Sequence, residues 1–394
     1  MQKLKVWKAE NIIGLVPDEI LDKLSDQTDV DYSVKKLQGK TIFKLFLFAA
    51  LNGSDVSLSI LEAIFQSERF KNLFSIQAKP ASRAAFSFRF KNIRADYFEN
   101  IFKFLIASPK LESVLFNRQK ISISKIDTTI VTLSSQLLKF GLDDNHGIKT
   151  LKFGVELRAG IPVNLMLFKG QKYLSEDNAL PKLILAKKQK KALNIAIFDR
   201  GIQRKQNFVD FQKAGVYFIS RLSTQQVKIV KRLPLTAVAT STLTILSDQI
   251  IRFKSSENLQ PEDANTEFRL VVGKNNHTKQ KIYFLTNVLF LSAVEITELY
   301  KSRWEIETFF KFLKQQLNFS HLLSRNENGI KVVMYLTMII AILLTLYKRL
   351  NNIMGWAVAK IRFIDELYVW ARDEWNIRLL PVASLSATAK ANSS

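Results

Sequence analysis

Near residue 120 the chain changes period, and that switch constrains its fold more than any other feature. Before it, apolar residues recur at helical spacing; after it, short β-branched runs alternate with turn residues. KISISKID (120–127) alternates and is rich in Ile, as a strand is. IKTLKFGVELRAGIPVNLMLFKG (148–170) holds two β-rich runs joined by Ala159-Gly160, a hairpin. SEDNALPKLILAKKQKKA (175–192) reads as helical in its second half, with a basic end that suits the helix dipole. LNIAIFD (193–199) has the pattern of a buried strand, RKQNFVDFQKAG (204–215) that of a helix ended by Gly215, and VYFISRLS (216–223) is a further strand.

Strand, two-stranded hairpin, helix, strand, helix, strand is the succession of an α/β, ribonuclease H-like core: a mixed five-stranded sheet with helices on both faces. Such a core needs one more helix. A β-leaning insertion over 224–284 comes first, with loops at SSENLQPEDAN (255–265) and GKNNHTKQ (273–280). The helix then arrives as YKSRWEIETFFKFLKQQL (300–317), after the cap-like LSAVEITEL. The expected division is 1–112 an N-terminal helical DNA-binding domain, 113–223 the first part of the core, 224–284 the insertion, 285–350 the closing helices, and 351–394 a C-terminal helical region with a mobile tail. A length of 394 residues suits two or three domains.

In the N-terminal part, KTIFKLFLFAALNG (40–53) and SLSILEAIFQSERF (57–70) precede SRAAFSFRFKNIRADYFENIFKFLIA (82–107), read as one helix with Ser82 as its N-cap. Arg83, Arg89, Lys91 and Arg94 on it fit a helix-turn-helix-like DNA reader, and equally a solvated basic face on a small bundle. VVMYLTMIIAILLTLY (332–347), flanked by Lys331 and Lys348, is shorter than the roughly 20 residues of a membrane span and reads as a buried core helix.

Composition narrows the chemistry. Lys and Arg number 58 against 35 Asp and Glu, a formal net charge of +23, which favours a polyanionic partner, nucleic acid ahead of an anionic membrane. The absence of Cys excludes disulfides, thiolate zinc sites and cysteine nucleophiles. Three scattered His (His146, His277, His321) do not suggest a His-based metal site. The opening MQKLKVWKAENIIGLVPDEI lacks the apolar stretch of a signal peptide, so a cytoplasmic, nucleoid-associated protein is expected.

Two of the strands end on carboxylates, Asp127 and Asp199. In the inferred topology these strands are neighbours, so the two charges repel unless cations lie between them. The closing helix would bring Glu307 to the same point. Three oxygen ligands suit Mg²⁺ or Mn²⁺, and two such ions clamp an in-line displacement at phosphorus. Each Asp alone has a plainer reading. Asp127-Thr128-Thr129 could be a turn, and Asp199-Arg200-Gly201 a strand exit in which Gly supplies positive φ. Asp143-Asp144 is assigned no role. On the amphipathic helix expected over 300–317, Tyr300, Arg303, Glu307 and Lys314 project within roughly 60° of one another.

These residues resemble the cut-and-paste DDE transposases of bacterial insertion sequences, the insertion-sequence-four group. The group's signature is Tyr-x2-Arg-x3-Glu-x6-Lys, matched by Tyr300, Arg303, Glu307 and Lys314. Asp127-Thr128-Thr129 matches its first Asp, Asp199-Arg200-Gly201 its second, and the β-rich insertion is a further shared trait. The resemblance covers about residues 115–350. It implies that Asp127, Asp199 and Glu307 are a catalytic triad binding two Mg²⁺ or Mn²⁺ ions. Tyr300, Arg303 and Lys314 would hold transposon-end phosphates, and Arg200 is expected to contact DNA beside them. Trp304, next to Arg303, fits stacking on DNA and equally a place in the core. The implied reaction is hydrolytic nicking that frees a 3′-hydroxyl, attack on the opposite strand, and strand transfer into target DNA. The implied partners are double-stranded DNA, both terminal inverted repeats and target, and a second copy of the chain when DNA is bound. In well-studied members a base flips onto a Trp of the insertion. Here the Trp are Trp7, Trp304, Trp356, Trp370 and Trp375, none within 224–290, so Phe268 or Tyr283 would have to serve. Rival readings are a nuclease or resolvase on the same fold, a catalytically decayed DNA-binding protein, and a membrane-associated protein.

Overall fold

A computed structural model describes residues 7–53, 56–115, 121–133, 141–143, 149–186, 193–223, 227–235, 240, 242–254, 259–319, 323–324 and 326–379. The expected mobile tail SLSATAKANSS (384–394), His146, His321, Asp144 and the basic run 187–192 lie outside the described residues. The chain divides into two compact units, one of residues 113–311 and one of residues 1–112 with 312–394.

The second of these is helical. It begins with α1 (Ala9–Ile13), α2 (Asp18–Thr28), α3 (Gly39–Asn52), α4 (Leu58–Gln66), α5 (Glu68–Phe74), α6 (Arg83–Asn92), α7 (Ala95–Ile106) and α8 (Pro109–Leu115). The stretch expected to be one helix after Ser82 is two. Ile93 and Arg94 take extended backbone (ψ 137° and 114°), and Ile93 is fully buried there. Burying that side chain turns the chain, and the side-chain amide of Asn328 donates to the Ile93 carbonyl at 2.6 Å.

The sheet unit holds β1 (Ile121–Thr132), β2 (Leu142–Asp143), β3 (Lys149–Arg158), β4 (Ile161–Phe168), α9 (Glu176–Leu185), β5 (Leu193–Ile197), α10 (Lys205–Lys213), β6 (Tyr217–Arg221), β7 (Val227–Arg232), β8 (Leu243–Phe253), β9 (Glu267–Asn275), β10 (Lys281–Thr286), α11 (Ala293–Lys301) and the start of α12 (Trp304–Gln316). The order across the sheet is β2-β3-β1-β5-β6-β10-β9-β8-β7, with β4 also paired to β3. β1, β5 and β6 run parallel, the other pairs antiparallel. Ala159 and Gly160, both at positive φ (46° and 75°), make the β3–β4 turn as read from the sequence. The insertion is not set apart from a five-stranded sheet. Its last strand pairs with β6, so β7–β10 extend one mixed sheet and cover an edge that would otherwise be left open.

Alternation along the parallel strands explains the layers. Ile126, Ala196, Phe198 and Phe218 pack on Leu180, Leu183, Phe208 and Phe211 of α9 and α10. Ile195, Ile197, Ile219 and Phe284 face the other way, onto Ile296 and Tyr300 of α11. Helix α9 is helical from Glu176, earlier than expected, because Ser175 caps it by accepting from the Asp177 backbone N–H at 3.2 Å.

Two long helices, α13 (Glu327–Leu350) and α14 (Trp356–Leu379), complete the helical unit. α13 is long and apolar enough to cross a membrane by composition, yet 89% of its most apolar window is buried within the protein. It packs on α6 and α7. The helices after residue 311 therefore group with the N-terminal helices, where the sequence suggested that 285–350 closes the sheet.

Candidate active site

β1 does not end at Asp127. Its antiparallel pairing with β3 continues to Thr132, with Asp127 opposite Val155. What ends near Asp127 is the pairing with β5, whose last register pair is Lys125 with Ile197. Two residues further along each chain stand Asp127 and Asp199, at the mouth where the parallel strands part. Asp127 accepts from the Thr128 backbone N–H at 2.7 Å, and Asp199 from that of Gly201 at 2.8 Å. The Ser220 hydroxyl donates to the Asp199 carbonyl at 2.9 Å, tying this exit to β6. Burial, then the charge of Asp199 beside it, raise the Asp127 carboxyl to about 7, with Glu176 adding to the effect.

The turn between α11 and α12 brings a cation to this mouth, and that cation holds the Glu307 carboxylate of α12. Arg303 donates to Glu307 at 2.6 Å and lies 4.0 Å from Asp127. Its Nε is buried without a hydrogen-bond partner. Tyr300 is buried, edge-on to the Phe284 ring, with the Arg303 guanidinium 5.8 Å from its own ring centre, and burial pushes its phenol up. The residues from 300 to 317 do not form one helix. α11 ends at Lys301, tight turns such as Arg303 N–H to the Tyr300 carbonyl (3.0 Å) follow, and α12 starts at Trp304. The single stripe imagined on a continuous helix is therefore broken at Ser302–Arg303. Lys314 is exposed on α12, past Lys311 where the chain divides.

The remaining candidates are dispersed. Trp304 is 66% exposed and Arg200 is exposed. In the helical unit Arg83 and Lys91 are exposed, while Arg94 pairs with Asp96 at 2.8 Å. Arg89 turns inward. Its guanidinium donates to the carbonyls of Leu37 (2.7 Å) and Val30 (2.9 Å) and to Asp31 (2.8 Å), so its charge is committed to holding α6 on the α2–α3 connection. Phe268 is buried in the core and Tyr283 packs against the same cluster, so neither presents an open ring for a flipped base.

Three polar neighbours went unnoticed in the sequence. Glu176, at the start of α9, accepts from the Thr128 hydroxyl at 2.6 Å and from the Lys152 ammonium at 2.8 Å. Lys125 and Glu305 form an ion pair two residues before Asp127 and Glu307 respectively. An acidic residue in a first helical turn reads as dipole complement, and a Lys in a strand as solvated. Only the fold brings them to the site.

The donor set suits a hard divalent cation. Asp127 and Asp199 offer oxygens alone, and burial, then the neighbouring Asp199 charge, raise the Asp127 carboxyl. Among the described residues, no three His, Asp or Glu side chains are already gathered as a metal cage. Glu307 is instead held by Arg303.

Comparison with known proteins gives the same direction. The family model for the transposase DDE domain matches residues 119–344. A putative transposase for insertion sequence element IS4SA from Synechocystis sp. is 27% identical over 69% of this chain and 77% of its own length. The putative transposase y4zB of Sinorhizobium fredii is 29% identical over 43% of this chain and 46% of its own. A probable transposase for insertion sequence element IS5377 from Geobacillus stearothermophilus is 25% identical over 54% and 49%.

Proposed function

The chain belongs to the family of the transposase DDE domain, and from that premise we propose that it is an insertion-sequence transposase that cuts and joins DNA with Asp127, Asp199 and Glu307 as its catalytic carboxylates. The observation that carries the reading is the pair of aspartates at the parting of β1 and β5, with burial and mutual repulsion holding the Asp127 proton to about 7. The order β4-β3-β1-β5-β6, with helices on both faces, supports a ribonuclease H-like core within the larger sheet.

Asp127, Asp199 and Glu307 would hold Mg²⁺ or Mn²⁺. Bound there, the ions would activate a water or 3′-hydroxyl and stabilise the leaving oxygen at phosphorus. The chain's own residues supply the rest. Thr128 and Gly201 N–H groups orient the two Asp carboxylates. Arg303, with Trp304 and Arg200 exposed nearby in sequence to the carboxylates, offers phosphate contact, and the exposed Lys314 offers another in the helical unit. Tyr300 packs under Arg303 and orients it. The exposed Arg83, Lys91 and Arg94 are proposed to hold DNA in the helical unit, whereas Arg89 acts by holding α6 in place. The partners are terminal inverted repeats and target DNA, handled by two copies of the chain in the bacterial cytoplasm.

The test is a duplex carrying the repeats that flank the gene, incubated with Mg²⁺ and a target plasmid. Wild-type protein should nick at the repeat end, free a 3′-hydroxyl and yield joined product, and chelation should stop all three. Nicking without any joined product would reduce the reading to a nuclease. Unchanged activity in Asp127→Ala, Asp199→Ala and Glu307→Gln would sink it.

A further inference from the structure

Gly201 follows Asp199-Arg200, and the sequence suggested that it supplies a positive φ. It does not appear among the described glycines at positive φ, which are Gly160, Gly170, Gly215 and Gly355. The reason for glycine is proximity. A Cβ at 201 would stand 2.8 Å from the Glu176 Cγ, 3.0 Å from its Cβ and 2.9 Å from the Asp199 Oδ1. The chain after Asp199 is thus laid directly on the stem of Glu176.

The other end of that side chain reaches the first aspartate's strand. Glu176 Oε1 accepts from the Thr128 hydroxyl, and Thr128 is the residue whose backbone N–H holds Asp127. Lys152, almost wholly buried on β3, fixes the same oxygen at 2.8 Å while donating to the Leu174 carbonyl at 2.6 Å. The next residue of α9 extends the link to the second aspartate's loop. Asp177 accepts from the backbone N–H groups of Gln203 (2.8 Å) and Arg204 (2.7 Å) and from the Asn207 amide (3.2 Å). A single helix start therefore touches the segments bearing both aspartates, which lie 72 positions apart in sequence (127 to 199).

We propose that Glu176 is a positioning residue: by bonding Thr128 and packing on Gly201 it sets the spacing of Asp127 and Asp199 for a divalent cation. This rests on the metal-holding role proposed above. Removing groups that orient metal ligands typically costs about 10–100-fold in metal affinity.

The test uses the full chain and Mn²⁺ alone, reading the metal concentration that half-saturates the rise in thermal midpoint. Thr128→Val removes the hydroxyl while leaving the Glu176–Lys152 pair intact. It should raise that concentration about tenfold with the metal-free midpoint unchanged within about 2 °C, and Thr128→Ser should restore it. In a Glu176→Ala background, Thr128→Val should add nothing, since the hydroxyl acts through Glu176. If the Ala variant does not fold, the Val and Ser pair still decides. Wild-type Mn²⁺ affinity in Thr128→Val would overturn the positioning role and leave the metal site standing. Absence of any Mn²⁺ effect in wild type, or an unchanged one in Asp127→Asn, would bring down the metal reading and this proposal with it.

Discussion

Two carboxylate sites of the sheet are treated in opposite ways. On β8 and β9 of the insertion, Asp248 is gripped at both oxygens by Arg269, at 2.9 and 2.6 Å, with side chains 4% and 6% exposed. Arg269 also donates to the carbonyls of Val288 (3.3 Å) and Leu291 (2.6 Å), so every charge there is answered. At the parting of β1 and β5, Asp127 meets Asp199, has Glu176 close by, and sees Arg303 only at 4.0 Å. The first arrangement stitches the insertion to the segment leading into α11. The second leaves Asp127 among like charges with Arg303 committed to Glu307, which is what the metal-holding role proposed above calls for.

The comparison breaks most visibly in activity. Asp127→Asn, Asp199→Asn and Glu307→Gln should each lower DNA cleavage by roughly a thousandfold or more, with circular dichroism unchanged. Arg269→Met should instead destabilise the protein by about 3–5 kcal/mol in urea unfolding, because Asp248 is left buried and alone. Adding Asp248→Leu to it should recover much of that loss, whereas no apolar pair at 127 and 199 would recover cleavage.

Acidity tests the same contrast. Asp127 has a folded value of about 7, above the 3.8 of a free Asp, so between these values the folded state binds more protons than the unfolded. Its contribution is therefore complete below about pH 4 and is lost as pH rises through 7, a fall of no more than about 4 kcal/mol. With a chelator present, Asp127→Asn should flatten that slope and be more stable than wild type at pH 8. A slope unchanged by the substitution would mean that Asp127 is not under strain.

Smaller effects sharpen the edges. Gly201→Ala should cost about 1–3 kcal/mol, since the new methyl meets Glu176 and Asp199. Lys91→Ala, on an exposed face, should alter stability by less than about 0.5 kcal/mol. If the helical unit tracks phosphates, that variant should also lower the salt slope of DNA binding by about 1, and an unaltered slope would remove Lys91 from the interface.

The sequence was most legible where one local period sufficed. The turn at Ala159-Gly160, the short buried strands β5 and β6, and the apolar helix α13 follow from alternation, positive-φ residues and continuous hydrophobicity. It misled where a neighbour decides. Asp127 looked like the end of a strand because its turn-forming sequence Asp-Thr-Thr is ambiguous, but β3 continues to pair with the chain beyond it. Arg89 looked like a DNA contact because a basic residue on a helix is normally solvated, yet three acceptors from the α2–α3 connection draw it inward.

By itself, then, the sequence determined the periodicities, the spacing of Tyr300, Arg303, Glu307 and Lys314, and the exclusion of thiolate chemistry from a chain without Cys. Those are properties of residues a few positions apart, or of residue types. Only the tertiary structure decided that β1 runs on past Asp127, that the 300–317 stretch breaks at Ser302, and that Glu176 lies under Gly201. Such contacts join residues distant along the chain, and their strength depends on burial, which no local pattern encodes.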